Sequence, residues 1–424
     1  MIEDIQVSRL PNGLTILTDR MAGVRSATLG FFYRTGSRSE PAELNGISHF
    51  IEHTVFKGTE KRSALDIAIE QDRLGGNLEA FTTHEETGFA IKVIDDQLGD
   101  AFDLLADMLS NPTFDEKELK SEQRVIIEEM KMTEDSPEEY LGEIFSEAFF
   151  PGHPLGLSIA GTPKTVRKFD RKTTAAFHLS AFTPANLVVA AAGNVEHEKI
   201  AELANTYFAS HRDDADRQKT KYEKPTPAAP IVIKTNKNLE QAHLIIATPF
   251  VMATDERRYA ADLLANAIGG GMSSRLWQKI REERGLAYNV GAANAMYQDC
   301  GVFSVFAGTS PEHAGEVVDI AVAELREVVS NGIRCEELEL AKHQARASIL
   351  LSLEDSAARA ASIAQSEMVH GRQILVEETL AKIAAVTVDD VVDLAREFFQ
   401  TEATAFAALG DLDGLVVDRS RLAI

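Results

Sequence analysis

Residues 46–59 decide how this chain folds and what it can bind: they read Gly46-Ile-Ser-His-Phe-Ile-Glu-His-Thr-Val-Phe-Lys-Gly-Thr59. Within this stretch His49 and His53 are four residues apart, with Glu52 between them. On a helix of 3.6 residues per turn, the two imidazoles lie about 40° apart and the carboxylate shares their face. Two histidines can then hold one Zn²⁺ while the carboxylate stands beside the open position of the metal. The alternative is a histidine pair on a surface or core helix that binds no metal.

A third metal ligand must come from elsewhere, because catalytic zinc usually has three protein ligands and a water. Residues 122–130 offer candidates. Glu122 and Glu129 are seven residues apart and therefore about 20° apart on a helix, so one carboxylate can bind metal while the other orients a ligand. Glu128 is the rival by composition, but it lies about 100° from Glu129 and cannot share a face with Glu122. A solvated acidic face is the alternative for this segment.

Composition restricts the class of protein and its partners. With 424 residues the chain is too long for one ordinary core, which predicts two or more domains. The net charge of −23 argues against nucleic acid as a partner and suits either cationic ligands or solubility. No apolar run is long enough for a membrane span, and the acidic start is unlike a secretory signal, so we predict a cytoplasmic protein with no membrane association. Cys300 and Cys335 are too few for a disulfide framework and are expected to be reduced thiols.

Two pairs of similar segments indicate an internal duplication. Residues 182–195 pass from a helix end through an apolar strand to a glycine turn, and residues 399–412 repeat that order. Residues 104–118 likewise resemble residues 325–339. Only the first copy contains the histidine pair, so metal chemistry is expected in the first copy alone.

We therefore predict three regions: 1–215, an N-terminal catalytic zinc-binding domain; 216–232, a linker; and 233–424, a C-terminal homologous domain without the zinc motif. Alternating and helical patterns mark strands and helices in both halves; examples are strands at Leu14–Thr18 and Ala27–Tyr33 and helices at Glu116–Met132 and Glu336–Leu353. The expected fold class is α+β, with two homologous sandwich domains in which a mostly antiparallel sheet is backed by helices.

Residues 46–59 closely resemble the metal helix of the pitrilysin (M16) metallopeptidases, a family that includes insulin-degrading enzyme and the mitochondrial processing peptidase. The family pattern, H-x-x-E-H with a glutamate ligand about 75 residues later, reaches Glu129. The resemblance implies one Zn²⁺ per chain held by His49, His53 and Glu129, with Glu52 as general base and Glu122 orienting a ligand. It also implies the LuxS/metallohydrolase-like fold.

Two further segments carry the resemblance. Residues 74–87 resemble the edge strand beside the zinc, which implies that substrate pairs with the backbone around Asn77, Glu79, Ala80 and Phe81. Residues 274–288 resemble the region that supplies an arginine and a tyrosine to the substrate, which implies roles for Arg281 and Tyr288.

The resemblance covers essentially the whole chain and implies a two-domain bacterial member, similar to the catalytic subunit of the mitochondrial processing peptidase. The expected activity is zinc-dependent endopeptidase cleavage of short or unfolded peptides. Two such chains usually associate, so the expected partner is a second copy or a related chain. The competing hypothesis is a non-catalytic peptide-binding or assembly subunit that uses the same edge strand.

Overall fold

The computed structural model describes residues 3–209 and 222–424. The strands in it are β1 Ile5–Arg9, β2 Thr15–Arg20, β3 Ser26–Tyr33, β4 Leu78–Thr82, β5 Thr87–Ile94, β6 Leu187–Gly193, β7 Ile231–Thr235, β8 Ala242–Phe250, β9 Ala287–Met296, β10 Gly301–Thr309 and β11 Ala405–Gly410. The α-helices are α1 Ile47–Thr54, α2 Ala64–Leu74, α3 Leu98–Ser110, α4 Glu116–Asp135, α5 Pro137–Phe149, α6 Pro163–Val166, α7 Arg171–Ala181, α8 His197–Phe208, α9 Arg258–Gly269, α10 Ala314–Asn331, α11 Cys335–Ser352, α12 Ser356–His370, α13 Val376–Ala385 and α14 Val388–Phe398.

The chain divides into two compact units, and each draws on both halves of the sequence. The first unit contains residues 1–131, 157–222 and 350–376, and the second contains residues 132–156, 223–349 and 377–424. Helix α12 therefore belongs to the first unit and helix α5 to the second.

The first unit is built on a six-stranded sheet in the order β1-β2-β6-β3-β5-β4. Its neighbours pair antiparallel, except that β2 and β6 are parallel. One face of the sheet packs on helices α1, α3 and α8 through a core that includes Phe31, Phe50 and Phe102, all without solvent exposure. Strand β4 lies at the edge of this sheet, where strands present unpaired backbone groups.

The second unit repeats that topology on a five-stranded sheet in the order β7-β11-β8-β10-β9. Here too a single parallel pair, β7 with β11, is followed by antiparallel neighbours. Strands β7, β11, β8, β10 and β9 thus correspond to β2, β6, β3, β5 and β4. The predicted duplication is visible in this order of strands, and the predicted α+β class with two helix-backed, mostly antiparallel sheets is confirmed.

The opposite face of each sheet is covered by a helix from the other half of the sequence. Helix α12 packs Ile363 and Ala364 against Leu17, Phe32 and Val188 of the first sheet. Helix α5 covers the second sheet with an apolar face, and its buried side chains are Leu141, Phe145 and Phe149. An isolated half of the sequence would lack the helix that covers its own sheet.

The predicted elements agree with the observed ones within a few residues. The helix predicted at 116–132 is α4, the helix predicted at 336–353 is α11, and the two predicted strands are β2 and β3. Of the predicted linker, residues 216–221 lie outside the described residues, as does the predicted boundary at 215, and β7 begins at Ile231. The boundaries 1–215 and 233–424 stay a prediction. Within the described residues no helix is long and apolar enough to cross a membrane.

Candidate metal centre and active site

Helix α1 carries the histidine pair, and the residue at its N-cap is a glycine. Gly46 has φ of 96°, in the left-handed region, and a Cβ there would lie 2.5 Å from the Ala160 carbonyl oxygen. Only glycine fits such a position without strain. Because Gly46 has no side chain to cap the helix, the carboxylate of Glu40 takes that role. It accepts hydrogen bonds from the backbone N–H groups of Gly46 and Ser48, both at 2.7 Å.

The structure brings His49, His53 and Glu129 together. One potential ligand atom from each of the three lies within 4.8 Å of the other two. Nε2 of His53 lies 3.5 Å from Oε2 of Glu129, and the two imidazole rings meet edge to face with centroids 4.7 Å apart. The histidines come from consecutive turns of α1 and the glutamate from α4, so a short helix and a long one hold the three donors.

Glu122 lies seven residues before Glu129, on the same face of α4. It contacts Nδ1 of His53, the ring nitrogen that does not face Glu129. Its Oε2 lies 3.3 Å from Nδ1 of His53, and its Oε1 lies 2.9 Å from the ammonium of Lys57. A carboxylate at Nδ1 fixes the ring and leaves Nε2 directed at Glu129. Lys57 in turn holds the carboxylate in place.

The rival glutamate, Glu128, is directed elsewhere. It is exposed and pairs with Lys131 one turn further along α4, at 2.7 Å. It is not among the residues that meet the histidine pair in the described part of the chain. The helix-face argument that separated Glu128 from Glu122 therefore agrees with the geometry.

The two histidines have opposite electrostatic environments. Burial, followed by the charge of His53, lowers the pKa of His49 to about 4, so His49 is neutral at physiological pH. Burial also lowers the pKa of His53, but the hydrogen bond to Glu122 and the charges of Glu129 and Glu52 outweigh it, and the net pKa is raised. Since only a neutral imidazole can bind metal, a metal ion must displace a proton from His53 at mildly acidic pH.

Glu52 faces this cluster without being one of its three donors. Its Oε2 accepts a hydrogen bond of 2.7 Å from the hydroxyl of Thr82, at the end of edge strand β4. Burial raises the pKa of the Glu52 carboxyl, although Thr82 and the charge of His53 oppose the rise. A carboxylate with a raised pKa is a stronger proton acceptor than an ordinary glutamate.

Strand β4 pairs on one side only, with β5, and its other side has no strand partner in the described residues. Leu78 is buried, Ala80 is half-buried, and Glu79 and Phe81 are exposed on the alternate face. Asn77 is exposed just before the strand. An extended peptide could add to such an edge through backbone hydrogen bonds.

Arg281 and Tyr288 lie in the second unit, in a π-helical turn at Trp277–Glu282 and in edge strand β9. The guanidinium carbon of Arg281 lies 4.1 Å from the ring centroid of Trp277 and 4.6 Å from that of Tyr288. Stacking between two rings orients the guanidinium while leaving its N–H groups available. Tyr288 is 78% exposed.

Four residues that contact the candidate site residues or their helix were not predicted from the sequence: Glu40, Lys57, Thr82 and Trp277. Each acts through a contact that a short motif does not reveal. Thr82 had a weak signal, since it follows Ala80 by two residues in the edge strand and must share its face. Lys57 also had one, because it is four residues after His53.

The donor set fits zinc. Two imidazoles and one carboxylate are the ligands of many catalytic zinc sites, in which one position stays open for water or substrate. Nδ1 of His49 is buried and has no hydrogen-bond partner among the described residues. Buried polar atoms are rarely left without a partner, and a bound ion is one way in which such an atom is satisfied.

Fold and site together define a class: a duplicated α+β protein with a candidate metal centre of two histidines and a glutamate, beside an open sheet edge. The family model described as "Insulinase (Peptidase family M16)" matches residues 15–163, and the model described as "Peptidase M16 inactive domain" matches residues 168–345. The chain is 39% identical over 401 residues to an uncharacterized zinc protease of Streptomyces coelicolor, covering 93% of this chain and 87% of that protein. An uncharacterized zinc protease of Bacillus subtilis is 36% identical over 398 residues, with coverage of 94% and 96%. The chain belongs to the M16 peptidase family.

Solved structures agree on the fold. A protease from Helicobacter pylori superposes with a TM-score of 0.91 at 23% identity, over 96% of this chain and 100% of that chain. A structure described as a peptidase M16 inactive domain, from Pseudomonas fluorescens, gives a TM-score of 0.89 at 19% identity, over 96% and 98%.

Proposed function

We propose that this chain is a zinc-dependent endopeptidase that cleaves short or unfolded peptides. The observation that carries the proposal is the meeting of His49, His53 and Glu129 next to a second carboxylate, Glu52, which is not one of the three donors and accepts a hydrogen bond from the edge strand. A structural zinc site would use a closed set of four ligands, whereas this set leaves room for water and substrate.

In this proposal His49, His53 and Glu129 hold one Zn²⁺ per chain. When bound, the ion would polarise the substrate carbonyl and lower the pKa of water towards neutrality. Glu122 keeps His53 oriented through Nδ1. Glu52 takes the proton of the attacking water and passes it to the leaving nitrogen of the peptide.

Substrate would bind as an added strand on β4. Its backbone would pair with the segment from Asn77 to Phe81, and Thr82 at the end of this strand already holds Glu52 at 2.7 Å. The scissile bond would therefore be presented beside the general base. Only an extended segment can add to a sheet edge, which favours short or unfolded substrates over folded ones.

Arg281 would hold a carbonyl or carboxylate of the substrate, and Tyr288 would donate to the developing oxyanion. Among the described residues the guanidinium of Arg281 makes no ion pair and is held by stacking, which supports a role in binding. Association with a second copy or a related chain, and the cytoplasmic location, stay predictions.

Incubation with a mixed peptide library, followed by mass-spectrometric mapping of the cuts, tests the proposal. Cleavage that a chelator abolishes and added zinc restores is expected. Binding of peptides without any cleavage by the zinc-loaded protein would instead favour the competing hypothesis, a non-catalytic peptide-binding or assembly subunit.

A further inference from the structure

The segment Gly36–Glu40, between β3 and α1, contacts two different parts of the candidate site. Its first residues hydrogen-bond to the turn that joins β4 to β5, and its last residue caps helix α1. Four of its five residues are buried, including Arg38 and Glu40, although charged side chains are seldom buried.

The segment is bound to this turn by both backbone and side-chain hydrogen bonds. The N–H groups of Ser37 and Arg38 donate to the carbonyl oxygens of Thr83 and His84, at 3.1 and 2.8 Å. The guanidinium of Arg38 binds the carboxylate of Glu85 at 2.7 Å. A side chain at Gly36 would come within 2.4 Å of the Thr83 carbonyl oxygen, so the two backbones are in close contact.

The hold on the helix is made by one carboxylate. Each oxygen of Glu40 accepts a backbone N–H from the first turn of α1, from Gly46 and Ser48, and Asn45 adds its side-chain amide at 3.4 Å. Helix α1 has only eight residues, and helices that short are marginal without fixed ends. Glu40 thus fixes the start of the helix that carries both histidines.

These two holds matter because the candidate active site spans the same two elements. Thr82, directly before the gripped turn, donates to Glu52 on α1 at 2.7 Å. The alignment of base, metal ligands and edge strand therefore depends on how the turn is placed relative to the helix.

We propose that Gly36–Glu40 is a clamp that holds the substrate-binding edge strand in register with the metal-binding helix. Glu40 and Arg38 are its positioning residues, one for each element. The inference rests on the proposed function, since it assumes that zinc binds at α1 and peptide at β4.

The two ends of the clamp should fail differently. Glu40→Gln offers an N–H₂ to a backbone N–H where the carboxylate offered an acceptor, so the start of α1 loosens. Zinc affinity and kcat should fall roughly 10–100-fold, the range for groups that orient metal ligands. Arg38→Ala should leave zinc affinity unchanged and weaken peptide binding, with a rise in KM of roughly ten- to a hundred-fold from lost alignment.

Ser63→Ala is the matched control. Ser63 caps helix α2 in the same unit by accepting from the N–H of Asp66, and among the described residues its side chain hydrogen-bonds only with Asp66. It should lower the melting temperature while zinc affinity, KM and kcat stay unchanged. Glu40→Asp, which keeps the charge but is one methylene shorter, replaces Glu40→Gln if that variant does not fold.

Zinc affinity is measured by competition with a chromogenic chelator, and peptide binding by anisotropy of a fluorescein-labelled unstructured peptide on the Glu52→Gln background. Neither measurement needs turnover. If the protein binds zinc and its Glu52→Gln variant binds peptide, but the zinc-loaded wild type cleaves nothing, the proposed endopeptidase activity fails. The clamp is then still judged by the zinc affinity of Glu40→Gln and the peptide affinity of Arg38→Ala. If wild type cleaves peptides and Glu40→Gln loses only thermal stability, or Arg38→Ala binds peptide normally, the clamp is wrong.

Discussion

Replacing Glu122 by Gln should weaken zinc binding without removing a ligand. The carboxylate lies 3.3 Å from Nδ1 of His53 and 2.9 Å from the Lys57 ammonium. The amide keeps the shape of the side chain but has no charge. Its N–H₂ group faces either Nδ1–H of His53 or the ammonium of Lys57, and both of these groups are donors. The orientation of His53 is then no longer fixed. At neutral pH we expect zinc affinity to fall roughly 10–100-fold, or about 1.4–2.7 kcal/mol.

The size of this loss should depend on pH, in a direction that the structure sets. Burial lowers the pKa of His53, but Glu122 is foremost among the groups that raise it above the ordinary 6.5, so the variant should have a lower His53 pKa than wild type. A protonated imidazole cannot bind metal. Wild type should therefore begin to lose zinc as pH falls through the raised pKa, and the variant only at lower pH. The difference in zinc affinity between wild type and Glu122→Gln should therefore become smaller as the pH falls.

Competition titrations against a chromogenic chelator, from neutral to mildly acidic pH, measure both effects. Glu128→Gln is the control, since it removes the same charge from an exposed turn of the same helix. A gap that widens on acidification would refute the assigned contact between Glu122 and His53. So would an equal loss of affinity in the control.

Three further predictions follow from the same geometry. Glu129→Gln should weaken zinc binding more than any change that spares the ligands, and Glu128→Gln should leave it unchanged; metal analysis after dialysis would show the reverse if the helix face were misassigned. Arg281→Ala and Tyr288→Phe should each lower kcat/KM by roughly ten- to a thousand-fold with zinc content unchanged, and full activity of both on several peptides would reduce the second unit to a scaffold. Arg359→Ala should lower the free energy of unfolding by about 3–5 kcal/mol, because the buried carboxylate of Asp19 loses the two hydrogen bonds of 2.6 Å that Arg359 donates to it. A loss below 1 kcal/mol in denaturant titrations would contradict that contribution.

Local patterns were sufficient to predict most of the candidate metal centre. The spacing of His49, Glu52 and His53 predicts one helical face, and the seven-residue spacing of Glu122 and Glu129 predicts another. Both arguments need only the helix period, and both helices are present. The choice of Glu129 over Glu128 needed the family resemblance as well, because spacing alone left the ligand open.

The contacts that support the centre were not predictable in the same way. Glu40 caps α1 from six residues before the N-cap glycine, and Thr82 reaches Glu52 from 30 residues away. Neither distance has a fixed period. Such contacts follow from tertiary packing, which no single window of sequence reports.

The sequence also did not predict that each sheet is covered by a helix from the other half of the chain. Both α5 and α12 have an apolar face, but such a face does not specify which sheet it will cover. The sequence patterns therefore did not indicate that α12 covers the first sheet, where Arg359 forms a buried ion pair with Asp19. Truncation near residue 217 removes that cover, so point substitutions test the second unit more cleanly than fragments do.

The central claim is that Glu52 is the catalytic base beside a zinc ion that it does not bind. Zinc content and peptide turnover of Glu52→Gln, measured on the same preparation, test it most directly. We predict one zinc per chain, as in wild type, with peptide cleavage abolished, because the amide keeps the shape but cannot accept the proton of water. Stoichiometric loss of zinc, or cleavage near the wild-type rate, would contradict the claim.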